Sequence, residues 1–376
     1  MMQTRLWIER TLVVLVMLGL TACGSASIRP KPGPLPPNPA LLGMKQVWSA
    51  QVGVVDFAMH PHVDQQHITV AGGQGVVARL DVKTGLTQWR ATLNTALSAG
   101  VGSDGRFAAV VSRDNALIVL DKGQEIWRTG IGAQVFTAPL VAGLRVFVLD
   151  ADRNLTAFDA QTGRRLWQTK RRGDALVLRQ AGILTAVGNT LVMGVSGHLL
   201  GVNPLNGNVV WDVTLASPRS TNDIERLVDV IDGVARAGNT LCMRAFQSAV
   251  GCLDAASGTL LWSNSANGFV GLSGDAQQVY GVEEDGQLRA WFTADGKSAW
   301  NSDVLRYRQL SGPLLIGRSL AVGDGSGLVH LLSRVDGSVV NRVSTDGSAI
   351  GLAPILAANT LVVVTSKGGV FGFLPD

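Results

Sequence analysis

Short apolar runs, broken every few positions by Gly, Asn, Asp or Thr, fill the chain from about residue 47 to its end. The stretch AVGNTLVMGVSGHLLGVNPLNGNVVWDV (186–213) reads as four strands joined by an Asn-bearing turn, a Gly turn and an Asn-Gly turn. The turn phrase recurs as VGNTL (187–191), AGNTL (237–241) and AANTL (357–361), and no helical period of 3.6 persists after the first residues. A second phrase, LDVKTGLTQWR (80–90), returns as FDAQTGRRLWQ (158–168), VNPLNGNVVWD (202–212), LDAASGTLLWS (253–263) and FTADGKSAWN (292–301). Its glycine fits a turn position of positive φ, and an Asp such as Asp81, Asp159 or Asp254 can accept bonds from the turn backbone.

The element Gly-x-x-x-Trp counts the units. It stands at Gly85/Trp89, Gly123/Trp127, Gly163/Trp167, Gly207/Trp211, Gly258/Trp262 and Gly296/Trp300. A seventh copy keeps Gly337 but has Asn341 in place of Trp, and Trp48 is in phase with no glycine before it. The steps from Trp48 to Asn341 are 41, 38, 40, 44, 51, 38 and 41 residues. Eight units of this length predict an all-β, eight-bladed β-propeller of four-stranded blades. Trp48 lies on a last strand without its first three, and residues 350–376 supply three strands without a fourth. Pairing the two ends closes the ring and leaves no open seam.

Composition adds compartment rather than chemistry. The 16% charged content and net charge of +4 come with no basic stripe and no nucleic-acid motif, so nucleic acid is excluded as a partner. Two arginines and the short apolar core TLVVLVMLGL read as a signal peptide over 1–22, too short to span a membrane. Leu20-Thr21-Ala22-Cys23 resembles the bacterial lipobox, which implies a lipid anchor on Cys23; Gly24 after it resembles the signal for transfer to the outer membrane. Residues 23–46 then form a tether, six of the 13 prolines falling within 30–39. The propeller is expected over 47–376. Cys242 and Cys252 lie symmetrically about Gln247, so a hairpin there puts them within disulfide reach; an oxidising compartment favours a bridge over two free buried thiols.

Candidate chemistry is sparse. The D-x-x-T-G-x-x-x-W phrase resembles the repeats of quinoprotein dehydrogenases, a resemblance that would imply a quinone over the axis with a Ca²⁺ beside it. The adjacent cysteines of the alcohol dehydrogenases in that group are missing here, and packing alone explains seven of the nine tryptophans. His60, His62 and His67 read as a surface cluster rather than a metal site, because no carboxylate or Cys set converges with them. No G-x-S-x-G elbow is present, and Asp285-Gly286 fits a hairpin turn better than a calcium loop.

Function is expected where the spacing is broken. The two longest steps are consecutive, and both surplus loops, QTKRRGDALVLRQAG (168–182) and ASPRSTNDIERLVDVIDG (216–233), join the last strand of one blade to the first of the next. They should emerge side by side. Leu176, Val177 and Leu178 beside Arg179, facing Asp223, Glu225, Asp229 and Asp232, form a protein-binding edge, unless the leucines tuck under the next blade. With lipobox, tether, eight Trp-ended blades and these loops, the chain resembles the BamB family of lipoproteins over nearly its whole length. That resemblance implies a non-enzymatic scaffold without cofactor or metal, at the periplasmic face of the outer membrane. It implies binding to the POTRA domains of BamA, and through them to the β-barrel assembly (BAM) machinery and its unfolded clients. Leu176, Leu178, Arg179 and Asp229 match the family's contact positions; the next acidic position falls on Ile231, with Asp232 one place late.

Overall fold

Eight sheets follow one another along the chain and account for every strand among the described residues, antiparallel throughout but for one short parallel pair. In this computed structural model the described residues are 30–171, 177–217 and 227–376, and all their regular elements are strands. Gly33–Asp376 forms one compact unit; Met1–Pro32 is a second, described only at residues 30–32. The signal peptide and Cys23 therefore lie outside the described residues.

Blade 1 runs from His62–Val63 to Thr87–Thr92, blade 2 from Leu97–Ser103 to Gln124–Gly130, and blade 3 from Leu140–Ala142 to Arg165–Lys170. Blade 4 spans Leu184–Val187 to Val209–Thr214, and blade 5 Ala235–Ala237 to Thr259–Ser265. Blade 6 spans Ser273–Gly274 to Ser298–Ser302, and blade 7 Leu314–Ile316 to Val339–Ser344. Blade 8 takes three strands, from Ile355–Ala357 to Gly369–Pro375, and completes itself with Met44–Gln51, paired from Met44 opposite Pro375 to Gln51 opposite Gly369. The ring is an eight-bladed β-propeller closed by its N-terminal strand. Because the strands alternate in direction, blade-to-blade connections and second-to-third-strand turns share one face, and the remaining turns share the other.

The middle strands of each blade are buried on both sides, as Phe107–Ser112 is throughout, while outer strands such as Gln124–Gly130 are largely exposed. Between blades the recurrent phrase acts as a latch, and the latch runs in trans. Each Trp packs on the turn glycine of the following blade, not on its own. A Cβ on Gly85 would fall 2.7 Å from the Trp48 ring, and one on Gly258 2.4 Å from Trp211. The same pairs join Gly123 to Trp89, Gly163 to Trp127, Gly207 to Trp167, Gly296 to Trp262 and Gly337 to Trp300. The indole N–H then donates to a carbonyl of that turn: Trp48 to Val82 (2.8 Å), Trp127 to Ala160 (2.8 Å), Trp211 to Ala255 (3.1 Å) and Trp262 to Thr293 (2.8 Å). Within the turn the Asp81 carboxylate accepts the N–H groups of Lys83 and Thr84, and Asp159 and Asp254 do the same in their blades.

Asn341 breaks the pattern for a topological reason. The next blade is blade 8, whose last two strands come from opposite ends of the chain, so there is no turn glycine for a Trp to meet. The Asn341 side chain donates instead to the Leu42 carbonyl and accepts from Asn38 (2.9 Å). Leu41 donates to the Val340 carbonyl, Arg342 to that of Pro36, and Leu35 packs against the cluster around Leu320. The C-terminal part of the Pro-rich stretch is thus laid along the outer edge of blade 7. Across the inner hairpin of blade 5, Cys242 stands opposite Cys252 and the two are joined by a disulfide.

Candidate functional site

The two surplus loops connect Arg165–Lys170 to Leu184–Val187 and Val209–Thr214 to Ala235–Ala237, so both lie on the face of the blade-to-blade connections. Of the first, residues 171 and 177–183 are described, and of the second 215–217 and 227–234; Leu176, Asp223 and Glu225 lie outside the described residues. The described parts are joined to each other. Gly182 and Ile231 form an antiparallel bridge, the Asp232 N–H donates to the Ala181 carbonyl (2.8 Å), and Val230 bridges Ala245 of blade 5. Val228, Val230 and Ile231 are buried, which gives the second loop its own apolar anchor between blades 4 and 5.

Asp229 ties this assembly together. One carboxylate oxygen accepts the Leu178 N–H (3.2 Å) from the first loop, and the other accepts the Ser196 N–H (3.0 Å) from a blade 4 turn. Its carbonyl accepts the Phe246 N–H (2.9 Å) from the blade 5 turn. Val177 and Leu178 are half-buried and line a shallow cleft with Phe136, Leu149, Val195 and Val230, while Arg179 is exposed. Val177 and Leu178, expected either as a binding edge or tucked under the next blade, are thus partly seated against blades 3 and 4. The cation beside them is presented to solvent. Asp229, expected as a contact, also fixes the backbone that carries Leu178 and Arg179.

Asp232 points elsewhere. Its carboxylate meets His60 Nδ1 at 2.7 Å and accepts the Gly233 N–H at 2.7 Å. The charge of Asp232 raises the His60 pKa against the opposing effect of burial. Burial would raise the Asp232 pKa, but the His60 cation and these hydrogen bonds hold it below the ordinary carboxylate value. His60 belongs to the connection from blade 8 to blade 1, which turns inward: Ala58–Met59 pairs in parallel with Leu97–Ser103 and adds a fifth, innermost strand to blade 2. The period of the repeat gave no sign of this strand.

Beside the pair lies a cavity of about 510 Å³ at the centre of the ring, with walls that include Phe57, Met59, Val270, Leu272, Leu352 and Ile355. A quinone with a divalent cation would need an aromatic floor and several oxygen donors. Among the described residues no Trp lines this cavity, and the one carboxylate that does, Asp232, is already bonded to His60. Among the described residues no group of three or more His, Cys, Asp or Glu side chains could hold a metal ion. The residues present do not fit that cofactor.

His62 and His67 do not join His60. His67 faces Asp64 (3.3 Å), which also pairs with Arg79 (2.6 Å), and burial lowers the His62 pKa. Glu283 opens the turn that holds Asp285-Gly286, and its side chain is buried. It accepts from Arg244 of blade 5 (3.2 Å) and from the Asn267 N–H (2.6 Å), an inter-blade ion pair that no motif announced. Only the isolated charge at 244 within an apolar strand pattern could have signalled it.

The profile of the family described as outer membrane protein assembly factor BamB matches residues 45–302. The protein of that name from Burkholderia pseudomallei is 37% identical over 364 residues, covering 96% of each chain. The crystal structure of BamB from Moraxella catarrhalis superposes with a TM-score of 0.79 at 22% identity, over 88% of this chain and 99% of that one. A quinohemoprotein alcohol dehydrogenase from Comamonas testosteroni gives 0.69 at 15% identity, over 90% of this chain and 78% of that one. At such identities the two structures speak for the fold alone.

Proposed function

We propose a function from one premise: the chain belongs to the BamB family of outer membrane protein assembly factors. It serves the assembly of outer membrane proteins as a non-enzymatic scaffold subunit of the BAM machinery. It is held at the periplasmic face of the outer membrane by a lipid on Cys23. Its long-loop face binds the POTRA domains of BamA, with Leu176, Leu178 and Arg179 as the contacting group and Asp229 holding the backbone at Leu178.

The observation that carries this reading is the junction of the two longest connections on one face, where Asp229 accepts N–H groups from the first loop and from blade 4. A rigid ring supports the junction from behind. A binding surface of this kind loses little conformational freedom on association, so its few apolar and cationic anchors act at low entropic cost. Asp232, taken as a further contact, works from the axial side through His60. An oxidoreductase reading finds no support in the central cavity, whose donors do not fit the quinone and its cation.

The test is co-purification from membranes. Leu176→Ala/Leu178→Ala/Arg179→Ala should lose BamA while the purified variant keeps the wild-type circular dichroism and melting temperature. Wild-type recovery of BamA by the folded triple variant would refute the assignment.

A further inference from the structure

The inward-turning segment and the second long loop come from opposite sides of the ring. His60 follows the strand added to blade 2, and Asp232 precedes blade 5, three blades away. Their contact therefore crosses the axis on the long-loop face. Both backbones are fixed on their own sides. The His60 N–H donates to Gly100 and its carbonyl accepts from Val101, whereas Asp232 donates to Ala181 and the Gly233 carbonyl accepts from Leu272. The side chains of His60 and Asp232 join the two segments.

We propose that His60 is a positioning residue for the partner-binding face: as a cation it bonds Asp232 across the axis and holds both long loops in register. The proposal rests on the function proposed above. The path is continuous, from His60 to the Asp232 carboxylate, from the Asp232 N–H to Ala181 of the first loop, and three residues back to Leu178, whose N–H meets Asp229. Releasing His60 frees Asp232 to turn to solvent and loosens the Gly182–Ile231 bridge beside it.

The pair is closely surrounded by protein yet reached by solvent protons through the central cavity, with the His60 side chain 52% exposed and that of Asp232 30%. Asp232 is the charge that governs His60. The next titratable group is His62, itself set among Asp64, Arg79 and Asp104, and the cavity walls from blades 6, 7 and 8 add the uncharged Val270, Gly312 and Leu352. The folded pKa of His60 is raised above the ordinary 6.5. The latch is therefore fully formed below that value and is lost as the pH rises through the higher folded one. Half-exposed pairs are weak, so opening should change partner affinity by about two- to five-fold, not abolish it.

The experiment uses the mature protein in three forms: wild type, His60→Gln and His60→Lys. Amide exchange at 230–233 and the affinity for BamA POTRA domains are measured between pH 6 and 8.5, after correction for intrinsic exchange. In the wild type, protection and affinity should both fall with rising pH. His60→Gln should sit at the high-pH level throughout, and His60→Lys, which stays charged, should restore the low-pH level without the pH dependence. Identical pH profiles for wild type and His60→Gln would overturn the proposal. Altered exchange with no POTRA binding at any pH would overturn the partner reading and leave the latch standing; unaltered exchange with normal binding would do the reverse.

Discussion

Replacing Gly258 by Ala tests the latch between blades with a control built into the same chain. Gly258 has φ +69°, and a Cβ there would lie 2.4 Å from Trp211 Cγ. Gly188, in the turn between Leu184–Val187 and Thr190–Val195, has φ +56° and nothing within 4 Å of its missing Cβ. The equivalent turn of blade 8 already carries Ala358 at φ 51°. Both substitutions incur the left-handed backbone cost of an L-residue, about 1–2 kcal/mol. Only Gly258→Ala also drives the half-wedged indole of Trp211 off its seat, adding about 1–3 kcal/mol of overpacking and about 1 kcal/mol from the bond to Ala255. The expected totals are about 1–2 kcal/mol for Gly188→Ala and about 3–6 kcal/mol for Gly258→Ala. Urea unfolding followed by tryptophan fluorescence measures both. In a Trp211→Ala background the clash has no partner, so Gly258→Ala should there cost no more than Gly188→Ala. Equal costs for the two glycines in the wild-type background, within about 0.5 kcal/mol, would reduce the glycine to a turn requirement and refute the latch.

Other consequences are open to measurement. Deleting Met44–Gln51 removes the outer strand of blade 8 and should lower the melting temperature and expose an aggregation-prone edge; an unchanged melt would contradict closure of the ring by this strand. Arg244 and Glu283 are 0% and 5% exposed, so Glu283→Gln alone should cost about 3–5 kcal/mol in urea unfolding, and Arg244→Met/Glu283→Gln together much less than the sum of the single changes. Hydrogen bonds within their turns, from the Thr84 hydroxyl to Asp81 and from the Thr162 and Ser257 N–H groups to Asp159 and Asp254, hold all three carboxyls below their ordinary 3.8. Their contribution is complete above that value and disappears as the pH falls through the lower folded values, so urea midpoints should drop below about pH 4. The decline should be shallower in Asp81→Asn/Asp159→Asn/Asp254→Asn, and an identical slope would remove these turns from the explanation of acid unfolding.

What could be read from the chain was whatever repeats. Gly-x-x-x-Trp states the number of blades because every copy solves the same local problem, a tight turn beside a bulky neighbour. Even the exception at Asn341 is regular once the ring is closed, since blade 8 has no covalent turn to receive a Trp. The direction of the latch was not legible: spacing within one blade cannot say that Trp48 packs on Gly85 of the next. Contacts between unrepeated segments left no trace either. His60 looked like part of a histidine cluster and Asp232 like a partner contact, because nothing in either neighbourhood records that they meet across the axis. Likewise the Pro-rich stretch has the composition of a free tether, while residues 35–42 find bonds and an apolar seat along blade 7. Composition describes a segment alone, and these placements belong to pairs of segments.

The central claim is that the long-loop face, and not the propeller at large, engages the partner. Isothermal titration of purified mature protein against BamA POTRA domains tests it, comparing Leu178→Ala/Arg179→Ala with Leu205→Ala/Arg164→Ala. The second pair removes an exposed Leu and an exposed Arg from turns on the opposite face. Loss of affinity of tenfold or more, about 1.4 kcal/mol, is expected for the first pair and none for the second. Equal affinities for the two variants, both folded, would contradict the claim.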